Sequence, residues 1–255
     1  MGTGVDIGPW CHIGPDVVVG DGARLVSHVV VAGDTRIGTG AVLYPFCTVG
    51  LAPQDLKYKG EATRCEIGDR TQIREHCTIH RGTATGSGLT RVGADCLLMA
   101  VVHVAHDCEV GDGVVIANNV VMGGHVTIGA GAVIGGAAAL HQFVRIGRGA
   151  MVGGVSGVEA DVIPFGSVIG NRARLSGLNV IGLRRRGVDR AGLHVLRTAM
   201  RQLFRPTGVF SDRLEQVRQA YGADPLVAEV LAFVDAPSKR GLIRAAVTAM
   251  EEQAV

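Results

Sequence analysis

Aliphatic residues stand at every sixth position over most of this chain, beginning with Ile7, Ile13, Val19, Leu25, Val31, Ile37, Leu43 and Val49. Alternating strands repeat every two residues and amphipathic helices every 3.6, so a period of six fits neither. The series stops after Val49 and returns in phase at Ile67, Ile73 and Ile79. It stops again, shifts by one residue, and continues through Val92, Leu98, Val104, Val110, Ile116, Met122, Ile128, Ile134, Leu140, Ile146, Val152 and Val158. A chain with this pattern must bury its apolar face by stacking short rungs on one another. Composition agrees: 38 of 255 residues are glycine, roughly twice the usual share of about 7%, as suits a backbone that turns a corner every few residues.

The repeat resembles the left-handed parallel β-helix, in which each six-residue rung forms one side of a triangular coil of about 18 residues. The expected fold class is mainly β, a left-handed parallel β-helix with a C-terminal α-helical domain. Aliphatic side chains point into the prism, and with only 4% aromatic residues the narrow interior is filled by branched aliphatics. Two loops interrupt the coil, at 51–65 and 81–91, and loops that break a regular solenoid are more often functional than simple connectors. The repeat fades near Pro164. Beyond it, Leu193, Leu196, Met200, Leu203 and Phe204 share one face of a helix, and further short helices are expected around 211–221, 224–235 and 238–250. The division is a β-helix over 1–187 and a helical domain over 188–255.

The longest apolar run, Cys96 to Val102, is far short of the roughly 20 residues a spanning helix needs. The N-terminus lacks the basic flank and apolar stretch of a signal peptide, so a cytoplasmic protein without a membrane span is expected. Six cysteines, at 11, 47, 65, 77, 96 and 108, form no CxxC pair and read as small buried hydrophobes. Charge is uneven: residues 1–171 hold 11 Lys/Arg against 15 Asp/Glu, whereas 172–255 hold 14 against 8. The basic end suits phosphate groups or an acidic carrier protein. No zinc-finger or RNP motif supports a nucleic-acid partner.

The segment HVAHD, residues 103–107, sets two histidines in an otherwise apolar stretch. With about 18 residues per coil, His125 falls nearly beside His106, and His141 about a coil further on, so His103, His106, His125 and His141 gather along one edge. Three readings compete. Outward polar residues are tolerated on such a coil. Three histidines shared between neighbouring β-helices hold zinc in γ-class carbonic anhydrases, although HxxH here sits on different rungs and no matching spacing follows, so no metal is expected. The third reading is general-base catalysis: an imidazole accepts a hydroxyl proton near neutral pH, Asp107 orients it, and a backbone N–H at Gly123–Gly124 stabilises an oxyanion.

Several segments are specific: PQDLKYKGEATRCEIGDR, TIHRGT, LLMAVVHVAHDC, GGHVTIG, LHQFVRIG, MVGGVSGV and GLNVIGLRRRG. In order and spacing they resemble the acyl-(acyl carrier protein)–UDP-N-acetylglucosamine O-acyltransferases, which begin lipid A synthesis. The resemblance runs from about residue 5 to SKRGLIR at 238–244. It implies a cytoplasmic homotrimer with active sites between subunits, moving a 3-hydroxyacyl chain from acyl carrier protein to the glucosamine 3-hydroxyl. No cofactor is implied beyond the donor's phosphopantetheine thioester. On this resemblance His106 is the general base, Asp107 its helper, and Gly124 the oxyanion donor. Asp55 and Lys57 match sugar and phosphate contacts from an adjoining subunit. His80, His103, His125, His141 and Gln142 match substrate contacts, and Asn179, Arg185 and Arg186 match nucleotide and diphosphate contacts. Gly154 matches the position that measures acyl length, where glycine leaves room for a longer donor than a bulky residue would.

Two departures stand out. The family carries about one more coil before IGPWCHIG, and Ile181 replaces a glutamate that contacts the nucleoside. The nearest rival is the hexapeptide N-acyltransferase of the same pathway, which carries an N-terminal uridine-binding domain. An acetyl-CoA-dependent sugar acetyltransferase shares the backbone without the arginine-rich junction. From other classes, a zinc enzyme and a non-catalytic β-helix scaffold remain, the first testable by elemental analysis and the second by its indifference to loss of His106.

Overall fold

A computed structural model describes residues 1–245. Its strands are short, most of them two residues long, and they fall into three sheets of ten, eight and seven strands. The strands of the coil pair in parallel with those one full coil away, as in Leu98 with Ile116 and Val104 with Met122. The aliphatic series cycles through the sheets in turn. Leu25, Leu43, Ile73, Leu98, Ile116, Ile134 and Val152 point inward from sheet one. Val31, Val49, Ile79, Val104, Met122 and Leu140 do so from sheet two, and Val19, Ile37, Ile67, Val92, Val110, Ile128 and Ile146 from sheet three. All are buried, each burial worth about 1.5–3 kcal/mol. This is a left-handed parallel β-helix. Ile7, in the first coil, is 43% exposed.

The interruptions are shorter than the sequence suggests, because the ladder claims their ends. Strands Thr48–Leu51 and Arg64–Ile67 leave residues 52–63 irregular. His80 and Leu89 bound the second at 81–88, since Leu89, Thr90 and Arg91 pair with Arg64, Cys65 and Glu66. Both loops leave sheet two and re-enter sheet three, so both project from the same edge of the prism. HVAHD turns that edge too, between strands His103–Val104 and Glu109–Val110. Edge residues adopt left-handed backbone, with φ of 58° at Asp107, 61° at His125 and 67° at Phe143; polar residues such as Asp and His accept this conformation more readily than most.

The coil ends in strand Gly166–Ile169, on which Arg174–Leu178 folds back antiparallel. Among the described residues four helices follow: α1, Val180–Arg185; α2, Arg190–Leu203; α3, Phe210–Tyr221; and α4, Pro225–Asp235. Asp189 caps α2 through Gly192 N–H, and Asp224 caps α4 through Leu226 and Val227. Leu193, Leu196, Met200 and Leu203 are buried along α2, while Phe204 is its half-buried C-cap. The expected helix at 238–250 is not present over its described part. The segment bends at Lys239 and Arg240, and residues 241–245 run back along the β-helix, with bridges Asp161 to Leu242 and Leu175 to Ala245, because open strand edges there exchange main-chain hydrogen bonds with it; residues 246–250 lie outside the described residues. Among the described residues no helix is long and apolar enough to cross a membrane. Cys47, Cys65, Cys77, Cys96 and Cys108 are buried free thiols and Cys11 is half-buried.

Candidate active site

Asp107 is the electrostatic centre of the edge between sheets two and three. Its side chain is fully enclosed, which by itself costs a carboxylate dearly. The 81–88 loop supplies the compensation. Thr83 Oγ1 donates to Oδ2 at 2.6 Å, and Thr83 N–H, Ser87 Oγ and Gly88 N–H donate to Oδ1 at 3.1, 3.2 and 3.1 Å. Burial pushes this carboxyl up, yet the bonds from Thr83 and His106 outweigh it and hold it below the usual carboxylate range. Gly86 is required by this packing, since a Cβ there would stand 2.4 Å from the Asp107 carboxylate carbon.

His106 meets this anion through Nδ1, 2.8 Å from Asp107 Oδ2. The carboxylate accepts, so Nδ1 carries the proton and Nε2 offers its lone pair. The imidazole packs against Gly124, one coil along, where a Cβ would come within 2.5 Å of its Cε1. Among the described residues no acceptor takes the Gly124 N–H, whereas Gly123 N–H is bound to Leu140 O at 2.9 Å. Of the pair at 123–124, only Gly124 therefore keeps a donor for another molecule.

His125 completes the wall. Its ring meets that of His106 edge-on at 5.1 Å and stacks on Phe143 at 4.5 Å, with Nε2 3.9 Å from Asp107 Oδ2. Burial is the main cause lowering its pKa, with His106 and Lys239 adding and Asp107 opposing. His103 bonds Thr78 Oγ1 through Nδ1 at 2.7 Å, and its ring meets that of His80 at 5.0 Å. His80 is 6% exposed with Nδ1 unpartnered; burial, then the charges of His103 and His106, bring its pKa to about 4.

A cavity of about 560 Å³ opens over this cluster, lined by Asp55, Lys57, Thr85, His106, His125, Gln142, Phe143 and Lys239 among others. Asp55 and Lys57 thus reach the cleft from the same chain as His106. Arg81 pins their loop, donating to Tyr58 OH at 2.9 Å and Gly50 O at 3.0 Å. His106, Asp107 and His125 place ligand atoms within 4.8 Å of one another, the spacing of a metal site. The Asp107 oxygens, however, already receive five donors for about four lone-pair positions, so a cation would have to displace them.

The remaining expected residues lie elsewhere on this chain. Arg186 donates to Gly131 O, and Asn179 caps α1 and donates to Gly149 O at 2.9 Å, both at the edge between sheets three and one. Arg185 ends α1 beside them, and Ile181 is 67% exposed. Gly154, exposed, lies at the edge between sheets one and two. His141 and Gln142 sit on the cleft's rim, held by Arg240. Sequence reasoning missed the carboxylate-binding role of Thr83, Ser87 and Gly88 and the close packing at Gly86, for which RGTATGSGLT carries only a glycine-rich signal, and it missed Lys239 and Arg240.

A family model described as Udp N-acetylglucosamine O-acyltransferase, domain 2, matches residues 161–243, and one described as bacterial transferase hexapeptide (six repeats) matches 89–124. The chain is 50% identical over 238 residues to the acyl-(acyl-carrier-protein)–UDP-N-acetylglucosamine O-acyltransferase of Azorhizobium caulinodans, covering 93% of this chain and 88% of that one. It is 52% identical over 227 residues to the protein of the same name from Caulobacter vibrioides, covering 89% and 86%. Among solved structures, the UDP-N-acetylglucosamine acyltransferase from Campylobacter jejuni superposes with a TM-score of 0.90 at 33% identity, covering 96% of this chain and 95% of that one.

Proposed function

The chain belongs to the acyl-(acyl-carrier-protein)–UDP-N-acetylglucosamine O-acyltransferase family, and from that premise we propose that it moves a 3-hydroxyacyl group from acyl carrier protein to the 3-hydroxyl of UDP-N-acetylglucosamine, the first step of lipid A synthesis, in the cytoplasm. The 2.8 Å contact between His106 Nδ1 and Asp107 Oδ2 carries this reading. It leaves Nε2 as the base that takes the proton of the sugar hydroxyl while that oxygen attacks the thioester carbonyl. Charge then develops on the carbonyl oxygen, and the uncommitted Gly124 N–H stabilises it. Collapse breaks the carbon–sulfur bond, and the imidazolium returns its proton to the departing phosphopantetheine thiolate. No cofactor takes part.

His103, His125, His141 and Gln142 contact the substrates in this scheme, with Asp55 and Lys57 holding the sugar and its phosphates. Because Asn179, Arg185 and Arg186 lie at one edge of the prism and His106 at another, nucleotide and sugar contacts meet only where two protomers adjoin. A homotrimer supplies that arrangement, and it brings the Gly154 edge of one subunit alongside an acyl groove. His80 acts at one remove, being too buried to reach a ligand except past His103. The test is a transfer assay with 3-hydroxyacyl carrier protein and UDP-N-acetylglucosamine. His106→Ala should lose at least ~100-fold in rate, the lower range for general-base catalysis, with its thermal unfolding retained. A variant within tenfold of the parent would remove His106 from the chemistry.

A further inference from the structure

The segment after α4 is an extended strap, and it carries charge into the cleft. Asp161 N–H donates to Gly241 O at 2.8 Å, Ile243 N–H to Asp161 O at 2.9 Å, and Leu175 N–H to Arg244 O at 3.0 Å. The anchor is firm, because Asp161 is fully buried and bonded to Arg145 Nε at 2.7 Å. Ser238 Oγ accepts from Arg240 N–H and Gly241 N–H at 3.0 and 2.8 Å, which fixes the strap's turn. Arg240 then donates to Gln142 O at 2.7 Å and engages His141, so its guanidinium is spent on the rim.

Lys239 is different. Its ammonium stands 4.1 Å over the centre of the Phe143 ring, which is itself stacked on His125. Among the described residues no carboxylate pairs with it, and none pairs with the Lys57 ammonium across the same cavity. Asp55 is the one carboxylate among the residues lining that cavity, against the two lysines. The cavity lining therefore presents two ammonium groups against one carboxylate, while the Asp107 carboxylate behind His106 is already taken up by its own donors.

We propose that Lys239 binds a phosphate group of a substrate in the His106 cleft. The ring beneath it orients the ammonium, and a strongly hydrated point charge suits a phosphate oxygen. This inference rests on the proposed function only for the identity of the ligands. Two phosphates are then available: the diphosphate of the nucleotide sugar and the phosphodiester of the carrier protein's prosthetic arm.

Lys239→Met keeps a flexible apolar stem on Phe143 and removes the charge, whereas Lys239→Arg restores it. Steady-state kinetics of the full chain should show KM for one substrate rising about tenfold in the Met variant, by more than kcat falls, and largely recovering in the Arg variant. A rise for the nucleotide sugar assigns the diphosphate; a rise for acyl carrier protein assigns the phosphodiester. Both KM values unchanged, or a loss in kcat alone, overturns the assignment. A parent chain that transfers no acyl group would instead refute the proposed function. Where the rise is in the KM for the nucleotide sugar, calorimetric titration with inorganic pyrophosphate reads the site without turnover: about tenfold weaker binding to Lys239→Met than to the parent is expected, and equal affinity overturns the inference.

Discussion

Thr83→Val isolates the bond that does most to keep Asp107 ionised. Valine replaces a hydroxyl by a methyl of similar size, and Thr83 is only 2% exposed, so no cavity opens. The lost contact is a 2.6 Å bond to a carboxylate, of a kind worth about 1.5–3 kcal/mol. Because Oδ2 retains His106 Nδ1, the carboxylate is not orphaned and the lower part of that range applies, about 1.5–2 kcal/mol. For a chain of this size that lowers the unfolding midpoint by roughly 3–8 °C. The pH sign follows from the depressed carboxyl. A group held below its ordinary value in the fold contributes stability above its unfolded pKa and loses it as pH falls through the folded one. The variant has less depression to lose, so its deficit against the parent should be full at pH 7 and shrink as the solution is acidified below the ordinary carboxylate range. Thermal melts of parent, Thr83→Val and Thr83→Ser across pH test this. A Val variant within about 0.5 kcal/mol of the parent, or a deficit that grows in acid, would refute the loop's role as the carboxylate's ligand.

Gly124→Ala sets a methyl 2.5 Å from His106 Cε1; displacing the imidazole by even 1 Å should cost on the order of 100-fold in kcat, with far-UV circular dichroism unchanged, and a fully active variant would show that the ring does not sit there during reaction. His80, with its pKa brought to about 4, is neutral in the fold and must give up stability as pH falls from its ordinary histidine value to that level. Its contribution to the loss is about 3 kcal/mol. His80→Leu should flatten the stability profile over that window, measured by denaturant unfolding, and a profile parallel to the parent's would count against the burial argument.

The period of six made the scaffold legible before any coordinates, because an inward side chain every sixth residue is a geometric demand that no helix or simple strand meets. Ile67 and Val92 could be placed in the series although loops precede them, since the phase is kept or shifted by one residue. The pairing of His106 with Asp107 was legible from adjacent residue types, and the two side chains meet at 2.8 Å. The loop limits were not, because Thr90 and Arg91 look like loop residues and join the ladder only when Cys65 and Glu66 lie beside them. The strap at 238–245 was misread as helical because open strand edges at Asp161 and Leu175 supplied hydrogen-bond partners that local sequence does not reveal.

The sequence by itself determined the coil and its inward column, since both follow from residue type and spacing along the chain. Tertiary structure alone decided that both loops leave at the edge carrying HVAHD, that Thr83, Ser87 and Gly88 hold Asp107, and that Lys239 crosses about a hundred residues of sequence to reach Phe143. The physical reason is closure. Contacts between residues far apart in the chain depend on how many coils separate them and where each edge points, and neither quantity is written in any local stretch.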